Sequence, residues 1–185
     1  MKRIATILRT WYFIVKYQWV MKKAVFGQGV RIGCKLRIKG PGKVFIGDNC
    51  RIEPTPWGEE YVTIYTHRRY ARVEIGNEVL LRATRFGSHL KITVMNGAVL
   101  ENASVFDSDF HNIDATRRDE GFNEWDREVT IGSRAYVGCE SLCSKGTHLG
   151  RNTVVLPVSM LGTRKAPDNA VLGGYPAKVV RKMVE

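Results

Sequence analysis

The chain has 185 residues, of which 44% are hydrophobic and 25% are charged, as expected for one soluble globular domain with a substantial core. Its formal net charge of +11 is unevenly distributed, because residues 1–47 contain eleven Lys or Arg and no Asp or Glu, whereas the other 138 residues carry eighteen of each sign. The four cysteines are Cys34, Cys50, Cys139 and Cys143. They form no C-x-x-C pair, which argues against a zinc site and a disulfide framework and favours a reduced, cytoplasmic setting.

The basic N-terminal region indicates an anionic partner, which composition alone leaves open as a membrane surface, a nucleic acid or an acidic polymer. Neither a signal peptide nor a membrane span fits the apolar residues of this region. The longest uninterrupted apolar stretch runs from Trp11 to Val15, Lys16 ends it, and no small-residue cleavage site follows. An amphipathic helix is therefore the remaining interpretation.

Residues 1–24 are predicted to form this amphipathic helix, with helical periodicity from about residue 2 to 23. Two stripes repeat at helical spacing, an apolar one (Ile4, Leu8, Trp11, Val15, Trp19) and a basic one (Lys2, Arg9, Lys16, Lys23). One interpretation is that the helix caps the open end of the following domain, so that its aromatic residues are core. The other is that it lies in the interface of an anionic membrane, on the inner face of the cell membrane. The two roles are compatible.

A six-residue repeat is the strongest structural signal in the chain. Large apolar residues recur every sixth position, and small residues stand two places before the last five of them: Ile131, Val137, Cys143, Leu149, Val155 and Leu161, with Ala135, Ser141, Thr147, Thr153 and Ser159. Earlier segments keep the same interval with interruptions. Short strands with a turn after every sixth residue coil into a triangular prism, whose corners need Gly or Asn for unusual backbone angles. The alternative, a sandwich, does not keep one fixed period.

The repeat divides the chain into an expected β-helix domain over residues 25–165 and a C-terminal segment with a short helix over residues 166–185. Residues 53–72 break the period and are interpreted as strands with longer turns. A second break, which we call the excursion, covers residues 107–128 in the domain and has no apolar period. Because long loops in compact repeats are often functional, the excursion is the first place to look for a site.

Three stretches of the C-terminal half resemble the hexapeptide-repeat acyltransferases, most closely the bacterial O-acetyltransferases that modify surface polysaccharides. They are DSDFHNID at 107–114, VTIGSRAYVGCESLCSKGTHLGRNTVV at 129–155 and APDNAVLGGYPAKVVRK at 166–182. The resemblance implies an all-β, left-handed parallel β-helix that assembles as a homotrimer, with active sites between neighbouring subunits. It also implies acetyl-CoA as donor, no metal, and a catalytic histidine on the loop that interrupts the coils.

The chain departs from the family pattern near the implied coenzyme site. Leu156 and Val158 stand where the family usually has the glycines of G-A-G-S, and Tyr136 replaces a frequent tryptophan. The sequence TRK at 163–165 is shifted by one residue against the usual T-K-D. These departures affect the coenzyme contacts and leave the histidine motif intact.

The resemblance assigns His111 as the general base, which suits a neutral imidazole because acetyl transfer needs a proton acceptor for the attacking hydroxyl. A carboxylate on the far imidazole nitrogen would fix its tautomer. Asp109 is the preferred candidate over Asp114, and the alternative is that these acids only shape the turn. The remaining histidines are interpreted as structural or solvated: His67, His89 and His148.

Coenzyme A binding is likewise carried over from the family, because the chain has no Walker or dinucleotide-binding glycine motif. Backbone contacts are expected at Cys139 and Pro157. Phosphate contacts are expected at Thr163, Arg164, Lys178 and Arg181, and the alternative is that these charges are merely solvated.

The leading functional hypothesis is an O-acetyltransferase acting on a cell-surface glycan or its lipid-linked precursor. An amino-sugar N-acetyltransferase and a non-catalytic β-helix scaffold are alternatives. A zinc carbonic anhydrase with this prism needs three imidazoles, which the histidine spacings do not suggest, and no nucleic-acid-binding module is recognised. Four residues of the excursion are candidates for the acceptor pocket: Arg117, Arg118, Phe122 and Trp125.

Overall fold

The computed structural model describes residues 2–58, 61–110, 115–117, 126–162 and 165–183. The chain begins with helix α1 (Lys2–Ile14), which continues into a π-helical segment (Val15–Val20). A 3-10 turn covers Ala115–Arg117 in the excursion, and every other regular element within these ranges is a strand. The predicted N-terminal helix is therefore present, and it ends three residues before the predicted position.

The strands form three sheets, which we call sheets A, B and C. Sheet A contains β1 (Ala24–Phe26), β4 (Lys43–Ile46), β7 (Arg72–Ile75), β10 (Lys91–Val94), β13 (Val129–Ile131), β16 (His148–Leu149) and β19 (Lys165–Ala166). Sheet B contains β2 (Arg31–Ile32), β5 (Arg51–Glu53), β8 (Leu80–Arg82), β11 (Val99–Glu101), β14 (Tyr136–Val137), β17 (Val154–Val155), β20 (Ala170–Gly174) and β21 (Ala177–Lys182). Sheet C contains β3 (Lys35–Lys39), β6 (Tyr61–Thr66), β9 (Arg85–Ser88), β12 (Ser104–Phe106), β15 (Leu142–Cys143) and β18 (Met160–Leu161).

From β1 to β20, successive strands belong to successive sheets, so each strand from β4 onward pairs in parallel with the strand three places earlier and the chain winds into a three-sided β-helix. The apolar residues of the repeat stack inside this prism. In sheet B the register aligns one such column from coil to coil: Ile32, Ile52, Leu81, Leu100, Val137, Val155 and Leu172. All seven are at most 3% exposed, and burying each contributes about 1.5–3 kcal/mol. The small residues that precede the repeat positions are also buried, which confirms the predicted pattern.

The corners that follow sheet A use side-chain oxygens as well as unusual backbone angles. The Asp48 N–H donates to Asn77 Oδ1 and the Asn77 N–H donates to Asn96 Oδ1, both at 2.9 Å, so each corner is bonded to the coil after it. A Cβ atom on Gly47 or Gly76 would lie 2.3 Å from these oxygens. These two glycines are therefore needed for space. The left-handed backbone angles that we predicted for Gly or Asn fall on later corner residues, on Asn49 as predicted and on Glu78 against the prediction.

The predicted C-terminal helix is wrong. Residues 177–182 form strand β21, which pairs antiparallel with β20 and covers the last edge of sheet B. The edge of β20 presents backbone groups that need hydrogen-bond partners, and the consecutive β-branched residues Val179 and Val180 favour an extended backbone. A turn over Tyr175 and Pro176 reverses the chain between the two strands.

Helix α1 and the π-helical segment pack against the first coil through one face only. Phe13 and Tyr17 are buried, and the Tyr17 hydroxyl donates to the Leu36 carbonyl and accepts from the Ile38 N–H. The helix thus covers the first coil, and the capping interpretation is right for Phe13 and Tyr17. Its prediction that the aromatic residues are core is wrong for Trp11 and Trp19, which are exposed. Within the described residues, no helix combines the length and the apolar character that a bilayer crossing requires.

Candidate active site

The start of the excursion is fixed by a buried carboxylate, Asp107. Its oxygens accept hydrogen bonds from the Ser88 hydroxyl (2.7 Å), the His89 N–H (2.7 Å) and the Leu90 N–H (2.9 Å). Burial raises the pKa of Asp107 above its usual value, and the hydrogen bonds from these donors offset only part of that rise. Because three donors converge on one side chain, residues 88–90 of the preceding coil hold the point where the excursion leaves the prism.

The end of the excursion is attached to the same segment. The Asp126 carboxylate lies 2.9 Å from His89 Nδ1, and both side chains are buried. The Arg127 N–H donates to the Asp107 carbonyl at 3.0 Å, which joins the two ends directly. His89 therefore connects both carboxylates, one through its backbone and one through its ring.

Aromatic rings pack around His89 at the foot of the excursion. The ring centroid of Phe110 lies 4.9 Å from that of His67, 5.5 Å from that of His89 and 5.2 Å from that of Phe106. Phe110 also has a φ angle of 63°, a left-handed conformation that a phenylalanine rarely adopts and that the packing holds in place. The residue immediately before His111 is thus held tightly against the coil.

The structure also brings together two histidines that are 22 residues apart in the sequence. The rings of His67 and His89 have centroids 5.1 Å apart, although the spacing gave no reason to expect a cluster. Within the described ranges, no group of three His, Cys, Asp or Glu side chains has the geometry to hold a metal ion. The interpretation of His89 as a structural residue agrees with its burial and its hydrogen bond to Asp126.

Of the predicted catalytic residues, only Asp109 can be placed. His111 and Asp114 lie outside the described residues. The Asp109 carboxylate forms an ion pair with Lys145 Nζ on the turn between β15 and β16. A second contact therefore holds the beginning of the excursion against the next coil.

Two predicted coenzyme residues meet at one corner of the prism. Cys139 follows β14 and Pro157 follows β17, and the Val158 N–H donates to the Cys139 carbonyl at 2.9 Å. Cys139 is half-buried and Pro157 is exposed. The two positions are therefore neighbours on successive coils, with Pro157 on the outer surface.

The predicted phosphate-binding residues are only partly described. Lys178 and Arg181 are exposed on β21, and Lys178 pairs with Gly173 in the register of β20 and β21. Val155 pairs with Leu172, so Gly173 and its partner Lys178 lie just beyond that pair in sheet B. This is the end of sheet B at which the corner of Cys139 and Pro157 follows β14 and β17. Arg181 pairs with Val171, farther back along the sheet. Thr163 and Arg164 lie outside the described residues.

Val158, one of the departures from the family pattern, has a φ angle of 57° and is exposed. A β-branched residue in the left-handed region is strained by about 1–2 kcal/mol. Glycine adopts this conformation without that strain.

Two other reactive groups near this corner are held in their neutral forms. Burial raises the pKa of Cys143 to about 12. Burial, with a hydrogen bond that the Tyr136 hydroxyl donates to Glu101, raises the pKa of Tyr136 to about 12. At neutral pH neither side chain is therefore ionised, which argues against either as a nucleophile or base.

Sequence reasoning missed the residues that hold the excursion in place, namely Asp107, Asp126, His89 and Lys145. A signal was present for Asp107, because it is the first residue after the six-residue interval ends at Phe106. No comparable signal marks Asp126 or Lys145, whose partners are 37 and 36 residues away in the sequence.

Comparison with known proteins places these features in context. No family model matches the chain. A Saccharomyces cerevisiae protein named as a candidate acetyltransferase is 27% identical over 121 residues, covering 60% of this chain and 60% of the relative. WbbJ of Escherichia coli, named as a candidate O-acetyl transferase of lipopolysaccharide biosynthesis, is 28% identical over 159 residues, covering 85% of this chain and 70% of the relative. The match thus spans less than two thirds of the yeast relative.

Solved structures with the same fold include an N-acyltransferase and an acetyltransferase. AntD, an N-acyltransferase of Bacillus cereus solved with dTDP and coenzyme A, aligns with a TM-score of 0.64 and 18% identity, over 86% of this chain and 83% of AntD. A hexapeptide-repeat acetyltransferase of Vibrio cholerae aligns with a TM-score of 0.51 and 19% identity, over 88% of this chain and 73% of the other. These likenesses confirm the predicted left-handed parallel β-helix. With the sequence relatives, they confirm the resemblance to hexapeptide-repeat acyltransferases.

Proposed function

We propose that this chain is an acetyltransferase that moves an acetyl group from acetyl-CoA to a sugar hydroxyl, with His111 as the general base. The observation that carries the proposal is the anchoring of the excursion. Asp107 and Phe110 attach the beginning of the excursion to the β-helix and Asp126 attaches its end, and the sequence between these points contains the histidine motif. The relatives named as acetyltransferases support the same reaction class.

In the proposed reaction, the His111 imidazole takes the proton from the hydroxyl of the sugar, and the oxygen of that hydroxyl attacks the thioester carbonyl of acetyl-CoA. The carbonyl carbon becomes tetrahedral and then expels the thiolate of coenzyme A, which takes up the proton from the imidazolium. The acetyl ester and the free thiol are the products, so atoms and charges balance. Asp109 is proposed to hold the imidazole in the tautomer that leaves the proton-accepting nitrogen unprotonated.

The proposed donor site follows the corner at Cys139 and Pro157. The exposed face of Pro157 and the backbone of Cys139 would contact the pantetheine arm, and the cations of Lys178 and Arg181 would pair with phosphates. Thr163 and Arg164 are proposed to add to the phosphate contacts. A coenzyme A-bound neighbour with the same fold, AntD, is consistent with this donor.

The acceptor and the assembly are also proposals. WbbJ is named for lipopolysaccharide biosynthesis, which favours a glycan hydroxyl as the acceptor. AntD is an N-acyltransferase, so an amino sugar is the second candidate. A homotrimer would place the excursion of one subunit beside the coenzyme corner of the next. Contact of helix α1 with the inner face of a membrane would bring the chain to a lipid-linked acceptor.

An acceptor-dependent thiol-release assay tests this function. We expect the purified protein to release coenzyme A from acetyl-CoA when a sugar with free hydroxyls is supplied, and the product to gain the mass of one acetyl group. Release only with amino sugars would establish the N-acetyltransferase instead. Absence of both release and acetyl-CoA binding across a broad acceptor panel would contradict the proposal and favour the scaffold alternative.

Cys139 offers a direct test of the donor site. Of the four cysteines, all within the described part of the chain, three are buried and Cys139 is half-buried. We therefore expect a maleimide to modify Cys139 first. Saturating acetyl-CoA, whose acylated sulfur does not itself react with maleimide, should slow this modification by at least about tenfold because the bound form is shielded. Mass spectrometry of tryptic peptides measures the rate, and a Cys139→Ser variant identifies the signal. An unchanged rate of Cys139 modification with acetyl-CoA bound would place the donor site elsewhere.

A further inference from the structure

Helix α1 and the π-helical segment that continues it share an apolar outer face, which we call the exposed face of helix α1. This is the reverse of the usual arrangement in a helix that packs on a domain. The side chains toward the coil include Thr10, whose hydroxyl accepts from the Ile32 N–H at 2.8 Å. The apolar stripe predicted from the sequence points away from the coil. Trp11 and Trp19 are each 68% exposed, and most of the other apolar side chains on this face are exposed too: Ile4, Ile7, Leu8 and Val20.

Two grooves extend this apolar face onto the first coil. One has a volume of about 700 Å³ and runs between the helix and the coil, with Ile7, Trp11, Ile14 and Val30 among its lining residues. The second groove, on the other side of the helix, is lined by both apolar and basic side chains, including Tyr12, Lys16, Lys35 and Arg37. The apolar stripe is thus continuous with an apolar groove on one side and adjoins basic residues on the other.

The exposed residues of the strands beside the helix include a row of lysines and arginines. Strand β3 points Lys35, Arg37 and Lys39 outward, while its apolar residues face the core. Arg31 and Lys43 on the adjoining strands are exposed as well. No Asp or Glu occurs before Asp48 in the sequence, so no carboxylate from this part of the chain offsets these charges.

We propose that the exposed face of helix α1, together with the basic row of β3, docks onto an anionic lipid surface. Exposed tryptophans insert at the boundary between headgroups and acyl chains, and the flanking lysines and arginines pair with lipid phosphates. A second copy of this chain meeting the same surface would bring the basic row of β3 against the same row of the copy, and like charges repel. Charge complementarity therefore selects the lipid over self-association through this face.

Vesicle co-sedimentation of the full chain tests this inference. We expect binding to vesicles of phosphatidylcholine mixed with phosphatidylglycerol, at least about tenfold weaker binding to phosphatidylcholine alone, and loss of binding at high salt. Replacing both tryptophans (Trp11→Ala with Trp19→Ala) should weaken binding to the mixed vesicles by at least about tenfold. Replacing two basic residues (Arg37→Gln with Lys39→Gln) should weaken binding to the mixed vesicles and leave the weak binding to neutral vesicles unchanged.

Trp57→Ala is the matched control, since Trp57 is 58% exposed and lies outside the docking surface. It should bind vesicles as the unmodified chain does. The inference is overturned if the chain does not bind anionic vesicles, or if the double tryptophan variant binds as well as the Trp57→Ala control. It is also overturned if that double variant lowers the molecular mass of the assembly in solution, because the face would then contact a second copy. Acetyl transfer to a soluble acceptor, measured without vesicles, remains a separate test of the proposed function.

Discussion

The His111→Ala variant is expected to lose about 10²- to 10⁴-fold in kcat for acetyl transfer, because a positioned general base contributes about this much. The KM for acetyl-CoA should change little, since the proposed donor contacts lie at Cys139, Pro157 and β21. Steady-state thiol release at varied acetyl-CoA and saturating acceptor measures both parameters. The split between kcat and KM distinguishes loss of the base from loss of the donor site.

His148→Ala is the matched control for this variant. His148 is exposed on β16 in the regular part of the β-helix, and it makes no proposed contact with substrate. Its replacement should leave kcat within about twofold, as for an ordinary surface position. Thiol release by His111→Ala at the rate of the unmodified protein would refute the assignment of the base.

The Asp107→Ala variant is expected to lose about 3–5 kcal/mol of stability, because three buried hydrogen-bond donors lose their common acceptor. The substitution leaves the Ser88 hydroxyl and the His89 and Leu90 N–H groups without their acceptor, and a buried unpaired donor costs about 1–3 kcal/mol. Urea unfolding followed by circular dichroism, at one fixed protein concentration, measures the loss. At temperatures where the variant is still folded, we expect acetyl transfer to fall as well, because the excursion loses its first anchor.

Asp168→Ala is the control for Asp107. Asp168 also accepts a backbone hydrogen bond at a corner, from the Arg151 N–H at 2.7 Å, but its side chain is 57% exposed. Water can replace its contacts, so we expect a loss of no more than about 1 kcal/mol. If the two variants were destabilised equally, burial of Asp107 would not be the source of its effect.

The β-helix could be predicted from the sequence because its signal is local and repeated. Each hexad places one apolar residue inside the prism, so Ile131, Val137 and Cys143 identify a structural unit without any knowledge of distant contacts. The interval also located the excursion, since it stops after Phe106 and resumes at Ile131. A period that is the same at every coil predicts the whole domain from a few of its turns.

The parts that could not be predicted depend on contacts between distant residues. A short helix is predicted within residues 166–185, but residues 177–182 are extended because they pair with the free edge of β20. The helical stripe was identified correctly, yet the side of α1 that faces the coil depends on Phe13 and Tyr17 fitting the first coil. The Asp126 to His89 contact joins residues 37 apart, and local spacing carries no information about it.

A crystal structure with coenzyme A bound tests the central claim most directly. We predict three copies around a threefold axis, with the pantetheine arm along the corner of Cys139 and Pro157 and its thiol close to the His111 imidazole of a neighbouring subunit. Coenzyme A bound away from that corner, or His111 directed away from every subunit boundary, would contradict the account.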